Sequence, residues 1–153
     1  MTMRRISSLV AVCSAALVVA LPATAKTPPP STVAGVGIEV AKLGLASYGI
    51  DTANSKCTTK ACLMKSYTVF YSQAVSVDNA LKTLWMASGK SGPCASGAVN
   101  AAAGFSSLTG NYRSLEAAQL KLDKVAAKSA YGQIQRKTPL LTSIINSFKT
   151  KCR

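Results

Sequence analysis

The stretch LMKSYTVFYSQAVSVDNALKTLW, residues 63–85, decides the fold class. Leu63, Tyr67, Phe70, Ala74, Val77, Leu81 and Leu84 recur at alternating steps of four and three. That period places all seven on one side of an α-helix and suits packing against antiparallel neighbours. A half-buried strand would need alternation with period two, and this run has none. Tyr71 and Trp85 flank the seam, and Met64 and Met86 border it. The aromatic residues therefore read as core. Thr58 or Thr59 is placed to cap the helix start, and SGKSG (88–92) ends it.

Upstream, Val33, Val36, Val40, Leu43 and Ile50 step by threes and fours, with Ser47 filling the gap. Ala34, Ile38, Ala41, Leu45 and Tyr48 form a second stripe beside the first. A helix apolar over so wide an arc is expected to lie centrally, and DTANS (51–55) is expected to end it. Gly35, Gly37, Gly44 and Gly49 lower its propensity but permit close packing.

Downstream, Pro93 occupies a first helical position. Ala98, Ala101, Phe105 and Leu108 follow on a small-residue helix. Gly110 in TGN (109–111) reads as a left-handed C-cap that turns the chain. The alternative is one long helix, since the spacing continues through Tyr112, Leu115, Leu122 and Ala126. A fourth helix runs to about Gln135. KTPLL (137–141) then restarts the chain, with Thr138 as N-cap, Pro139 next, and Leu141, Ile144, Ile145 and Phe148 on one face. The expected class is all-α: an antiparallel bundle of four to five helices.

Residues 1–25, MTMRRISSLVAVCSAALVVALPATA, have the form of a cleaved secretory signal peptide. Arg4 and Arg5 precede an apolar run from Ile6 to Leu21, and Ala23 and Ala25 flank the cleavage motif. Residues 26–31, KTPPPS, read as a disordered proline-rich tail. Residues 32–153 form a single helical-bundle domain by length. No segment of the mature chain is expected to span a membrane. Thr32–Ile50 comes closest, but Glu39 and Lys42 interrupt it. The expected location is secreted or periplasmic.

Cys13 leaves with the signal peptide, so Cys57, Cys62, Cys94 and Cys152 remain. Four cysteines in an oxidising compartment read as two disulfides. Cys57-x4-Cys62 is not the C-x-x-C of thiol oxidoreductases, although Lys56, Lys60 and Lys65 would lower the pKa of a free thiol there. Helix rise of ~1.5 Å per residue discriminates among the pairings. With a turn at Gly110, residues 94–109 climb ~24 Å, 113–136 descend ~36 Å and 139–151 climb ~20 Å. Cys152 then ends ~8 Å from the height of Cys94, whereas one helix over 94–135 leaves it roughly 40 Å away. The expected pairs are Cys57–Cys62, stapling the corner between the first two helices, and Cys94–Cys152.

The chain contains no histidine and only five acids, which removes Ser-His-Asp and Cys-His catalysis. The same five acids are too few and scattered for paired-carboxylate chemistry, and oxidised thiols hold no zinc. The expectation is a non-enzyme without cofactor or metal. Removing Arg4 and Arg5 from the 18 basic residues leaves 16 against 5 acids, a net +11. Such a surface draws anionic partners. Arg113, Lys121, Lys124 and Lys128 are spaced to share one face of the fourth helix, and these residues are the candidate basic face. The expected function is binding of a partner macromolecule through that surface, as an inhibitor or accessory envelope protein. The partner would be a protein or an anionic surface such as wall polymer or lipid headgroups. Nucleic acid is less favoured, because no aromatics interleave with the charges. A cationic effector acting on membranes or anionic polymers, a toxin or antimicrobial, is the alternative. A carrier of an apolar small ligand is a third reading, and it requires an apolar hollow between helices.

Overall fold

The computed structural model describes residues 24–153. The expected signal peptide therefore lies outside the described residues except for Thr24 and Ala25. The described residues form four helices and no strand: α1 Pro30–Lys56, α2 Lys60–Ala87, α3 Gly92–Leu120 and α4 Lys124–Lys151. Two disulfides, Cys57–Cys62 and Cys94–Cys152, tie this helical bundle.

Helix α2 follows its sequence pattern. Tyr67, Phe70, Val77, Leu81 and Leu84 are buried along one seam. The Thr59 hydroxyl accepts from the Cys62 amide at 3.2 Å and caps the start. Phe70 sits at the crossing of α2 and α3, with its ring centroid 4.0 Å from that of Tyr112.

Three expected helix boundaries are corrected. DTANS does not end α1, which continues through it to Lys56 and buries Ala53. Gly110 does not turn the chain. It lies inside α3, where an added Cβ would meet nothing within 4 Å. A mid-helix glycine costs only about 1 kcal/mol relative to alanine, and the buried series Phe105, Leu108, Tyr112 and Leu115 outweighs that. The turn falls instead at Lys121–Asp123, where Leu122 takes a left-handed φ of 59° and the Asp123 carboxylate accepts from the Ala126 amide.

Nor does KTPLL start a new helix, because α4 runs through Pro139. Thr138 acts as a helix-interior residue, with its hydroxyl donating to the Ile134 carbonyl. Proline removes one bond to the Gln135 carbonyl. Gln135 and Pro139 are both exposed, on the outer side of α4. Pro139→Ala restores that bond, and we expect it to raise the unfolding free energy by about 1–3 kcal/mol in a denaturant titration.

Helices α3 and α4 are 29 and 28 residues long, about 43 and 42 Å at the helical rise. They lie side by side in opposite directions: Gly97 meets Phe148, Gly104 meets Leu141, and Ser107 accepts from Lys137. Two arms of equal length bring Cys94 and Cys152 to a Cα separation of 4.7 Å. The expected pairing thus forms, but through one long hairpin rather than three shorter helices. Gly97 and Gly104 allow the approach. A Cβ on Gly97 would stand 2.9 Å from the Phe148 ring, and one on Gly104 would collide with Leu141.

Helix α1 is peripheral, not central. It packs along α2 and barely touches α4. Val36, Leu43 and Ile50 are buried at heptad spacing, while Ile38, Leu45 and Tyr48 of the second stripe are exposed. One neighbouring helix can cover only one stripe. By length and composition α1 is able to cross a membrane, yet only 17% of its apolar window is buried. Its interrupting charges are partnered, since Glu39 pairs with Lys42 at 2.8 Å and accepts from Gln73 at 2.6 Å. These bonds hold the Glu39 carboxyl below its usual pKa, Lys42 first and Gln73 second.

The proline-rich segment expected to be a free tail is docked on the α2–α3 turn. Pro28 is fully buried, and the Lys26 amide donates to the Ser88 carbonyl at 3.0 Å. Gly89, at φ 70°, makes room for this strand of chain, because a Cβ there would stand 2.6 Å from the Thr24 carbonyl oxygen.

Candidate functional site

Two loops meet at one end of the bundle. The disulfide-stapled corner between α1 and α2 supplies Cys57, Thr58, Thr59 and Lys60, and the α3–α4 turn supplies Leu122, Asp123 and Lys124. Between them lies an open hollow of about 430 Å³. Gln119 fixes its floor. The Gln119 amide donates to Asn54 of α1 at 3.0 Å, and its carbonyl oxygen accepts from Tyr67 of α2 at 2.7 Å. One side chain of α3 thereby ties three helices beneath the hollow. Burial, then the neighbouring Glu116 charge, pushes the Tyr67 phenol far above its usual pKa, so it remains a donor at any physiological pH.

Lysines dominate this end. Lys60 and Lys124 line the hollow, while Lys56 and Lys121 occupy the adjoining helix ends. The four do not serve folding equally. Lys56 closes α1 and Lys121 caps the end of α3, where a cation complements the negative end of the helix dipole. Lys60 and Lys124 are the first residues of α2 and α4, where the dipole disfavours a cation. Neither first turn carries an acid, and only the Asp123 carboxylate at the α4 cap offsets Lys124 in part. Asp123 is engaged as the α4 cap.

Leu122 is equally out of place as a structural residue. It is 81% exposed, and a branched side chain is costly at positive φ. It borders the hollow beside Lys124.

The candidate basic face is rearranged by this geometry. Lys121 and Lys124 gather at the turn, and Lys128 follows one turn into α4. Arg113 does not join them. It belongs to α3 and lies over the Tyr71 ring of α2 at 5.7 Å, next to Glu116, which accepts from Tyr71 at 2.7 Å. The shared face presupposed a helix over 113–136, and the turn at 121–123 divides it. Lys56 and Lys60 join the cluster from the other loop, which spacing along one helix does not reveal. The signal available was Asp123 as an N-cap three residues before Ala126.

Among the described residues, no group of three or more His, Cys, Asp or Glu side chains is arranged to hold a metal ion. Cys57, Cys62, Cys94 and Cys152 are all in disulfides. No protein-family model, curated protein or solved structure matches this chain.

Proposed function

We propose that the mature chain is a secreted or periplasmic, non-enzymatic binding protein. It takes an anionic partner macromolecule on the basic loop end of an antiparallel bundle, as an inhibitor or accessory envelope protein does. One observation carries the reading: Lys60 and Lys124 stand at helix starts, against the dipole, around the same hollow. Charge placed at the expense of stability is a mark of a functional surface. Leu122, exposed and left-handed at the rim, supplies an apolar contact amid the charges.

A second reading, a cationic effector acting on anionic membranes, draws on α1. Ala34, Ile38, Ala41, Leu45 and Tyr48 are exposed along its outer face. Titration of the oxidised mature protein with polyglutamate and with phosphatidylglycerol vesicles separates the two. The leading reading expects saturable polyglutamate binding that weakens as salt shortens the screening length below ~10 Å. Binding to vesicles alone, weakening as salt rises, would favour the effector. Binding to neither would contradict both.

A further inference from the structure

A second hollow, unrelated to the lysines, opens on the seam between α1 and α4. Its volume is about 330 Å³, within the ~300–1,000 Å³ range of small-molecule sites. Val40 and Leu43 of α1 face Leu141 of α4 across it, and Phe70, Phe105 and Tyr112 form its base. No charged residue lines it.

The seam is open for a reason built into the neighbouring interface. Gly97 and Gly104 let Phe148 and Leu141 sink onto α3, which draws α4 against α3 along its length. Helix α1 packs on α2 through its Val36, Leu43 and Ile50 stripe, not through its glycines, which meet nothing within 4 Å, and α1 and α4 are left almost without contact. On the α1 lip, Gly44 has nothing within 4 Å of where its Cβ would stand.

The polar atoms at the hollow are already satisfied by protein. Ser47 and Tyr112 hydrogen-bond to each other through their hydroxyls. Thr138 donates to the Ile134 carbonyl at 3.0 Å and Thr142 to the Thr138 carbonyl at 3.1 Å. Apart from Ser47, Tyr112, Thr138 and Thr142, each already hydrogen-bonded within the protein, the lining is apolar, which suits an apolar guest. Shape narrows the class of guest. The lining runs from Val40 to Ser47 on α1 and from Phe105 to Tyr112 on α3, about 10 Å of helical rise on each. The hollow is drawn out along the helices, as a chain is.

We propose that the α1–α4 cleft binds an uncharged alkyl chain, lying between Val40, Leu43 and Leu141 over the ring of Phe105. This site is independent of the basic loop end and stands or falls separately from it.

The test uses 1-octanol as the probe, with methyl chemical shifts of the oxidised mature protein as the readout. Saturable shifts at Val40, Leu43 and Leu141 are expected in the unaltered protein. Gly44→Leu extends a side chain over the mouth, and as a helix-interior change from glycine it keeps the fold. It should weaken octanol binding at least tenfold. Thr142→Trp, on the opposite lip, should do the same, while Leu45→Gln on the outer face of α1 should leave affinity within twofold. Shifts that never saturate, undiminished binding in both lip variants, or shifts centred on Ile38 and Leu45 would overturn the proposal.

Discussion

Replacing both Cys94 and Cys152 by alanine lowers the unfolding free energy by about 4 kcal/mol, and replacing Cys57 and Cys62 lowers it by only about 2 kcal/mol. The difference follows from loop length. The first bond joins residues 58 apart in sequence and the second joins residues 5 apart. A longer closed loop removes more conformational freedom from the unfolded chain. Alanine is the appropriate replacement at Cys94 and Cys152, which are 5% and 7% exposed, because serine would bury a hydroxyl. Guanidinium titrations of the two double variants provide the comparison. Equal losses, or a larger loss at Cys57–Cys62, would contradict the hairpin in which α3 and α4 are locked along their full length.

Phe70→Ala costs about 3–5 kcal/mol, the range for deleting a fully buried aromatic side chain. Phe70 is 0% exposed and its ring touches two others, Tyr112 at 4.0 Å and Tyr71 at 5.7 Å between centroids. Through Tyr112 it joins α2 to α3. Phe70→Leu keeps most of the volume and is expected to cost less than about 1.5 kcal/mol. Thermal or chemical unfolding of both variants measures the gap. A Phe70→Ala loss below 1 kcal/mol would mean that α2 and α3 are not packed as described.

The sequence made the fold class legible, and most of all in α2, where a long regular period has no competitor. It also made the cysteine pairing legible, though by a path the structure replaces. The boundaries were less legible because the usual punctuation is misplaced in this chain. Gly110 and Pro139 look like stops, yet the packing around each outweighs its cost: Gly110 lies in a well-packed helix, and Pro139 lies on a solvent face of a helix that buries Ile134, Leu141 and Phe148 on either side of it. The real turn carries no glycine, since Leu122 adopts the left-handed conformation that glycine usually takes. The position of α1 was hidden for a different reason. Hydrophobic periodicity shows which stripes are apolar, and the number of neighbours decides which of them is covered.

The candidate site was half-legible. Lys121, Lys124 and Lys128 are close in sequence and remain close around the turn. Lys56 and Lys60 reach the same end only because the chain folds back twice, and Gln119 joins Asn54 and Tyr67 across more than 50 residues. Arg113 was drawn into the set by a helix register that the turn at Asp123 breaks.

In the function proposed above, Lys60 and Lys124 serve a partner at the expense of the stability of their own helices. Lys60→Glu combined with Lys124→Glu tests it through two readouts on one protein, polyglutamate affinity and melting temperature. Affinity is expected to fall at least tenfold, ~1.4 kcal/mol, while the melting temperature rises as each helix start gains a favourable charge. Unchanged affinity, or a melting temperature that falls together with it, would mean that these lysines serve the fold and not a partner.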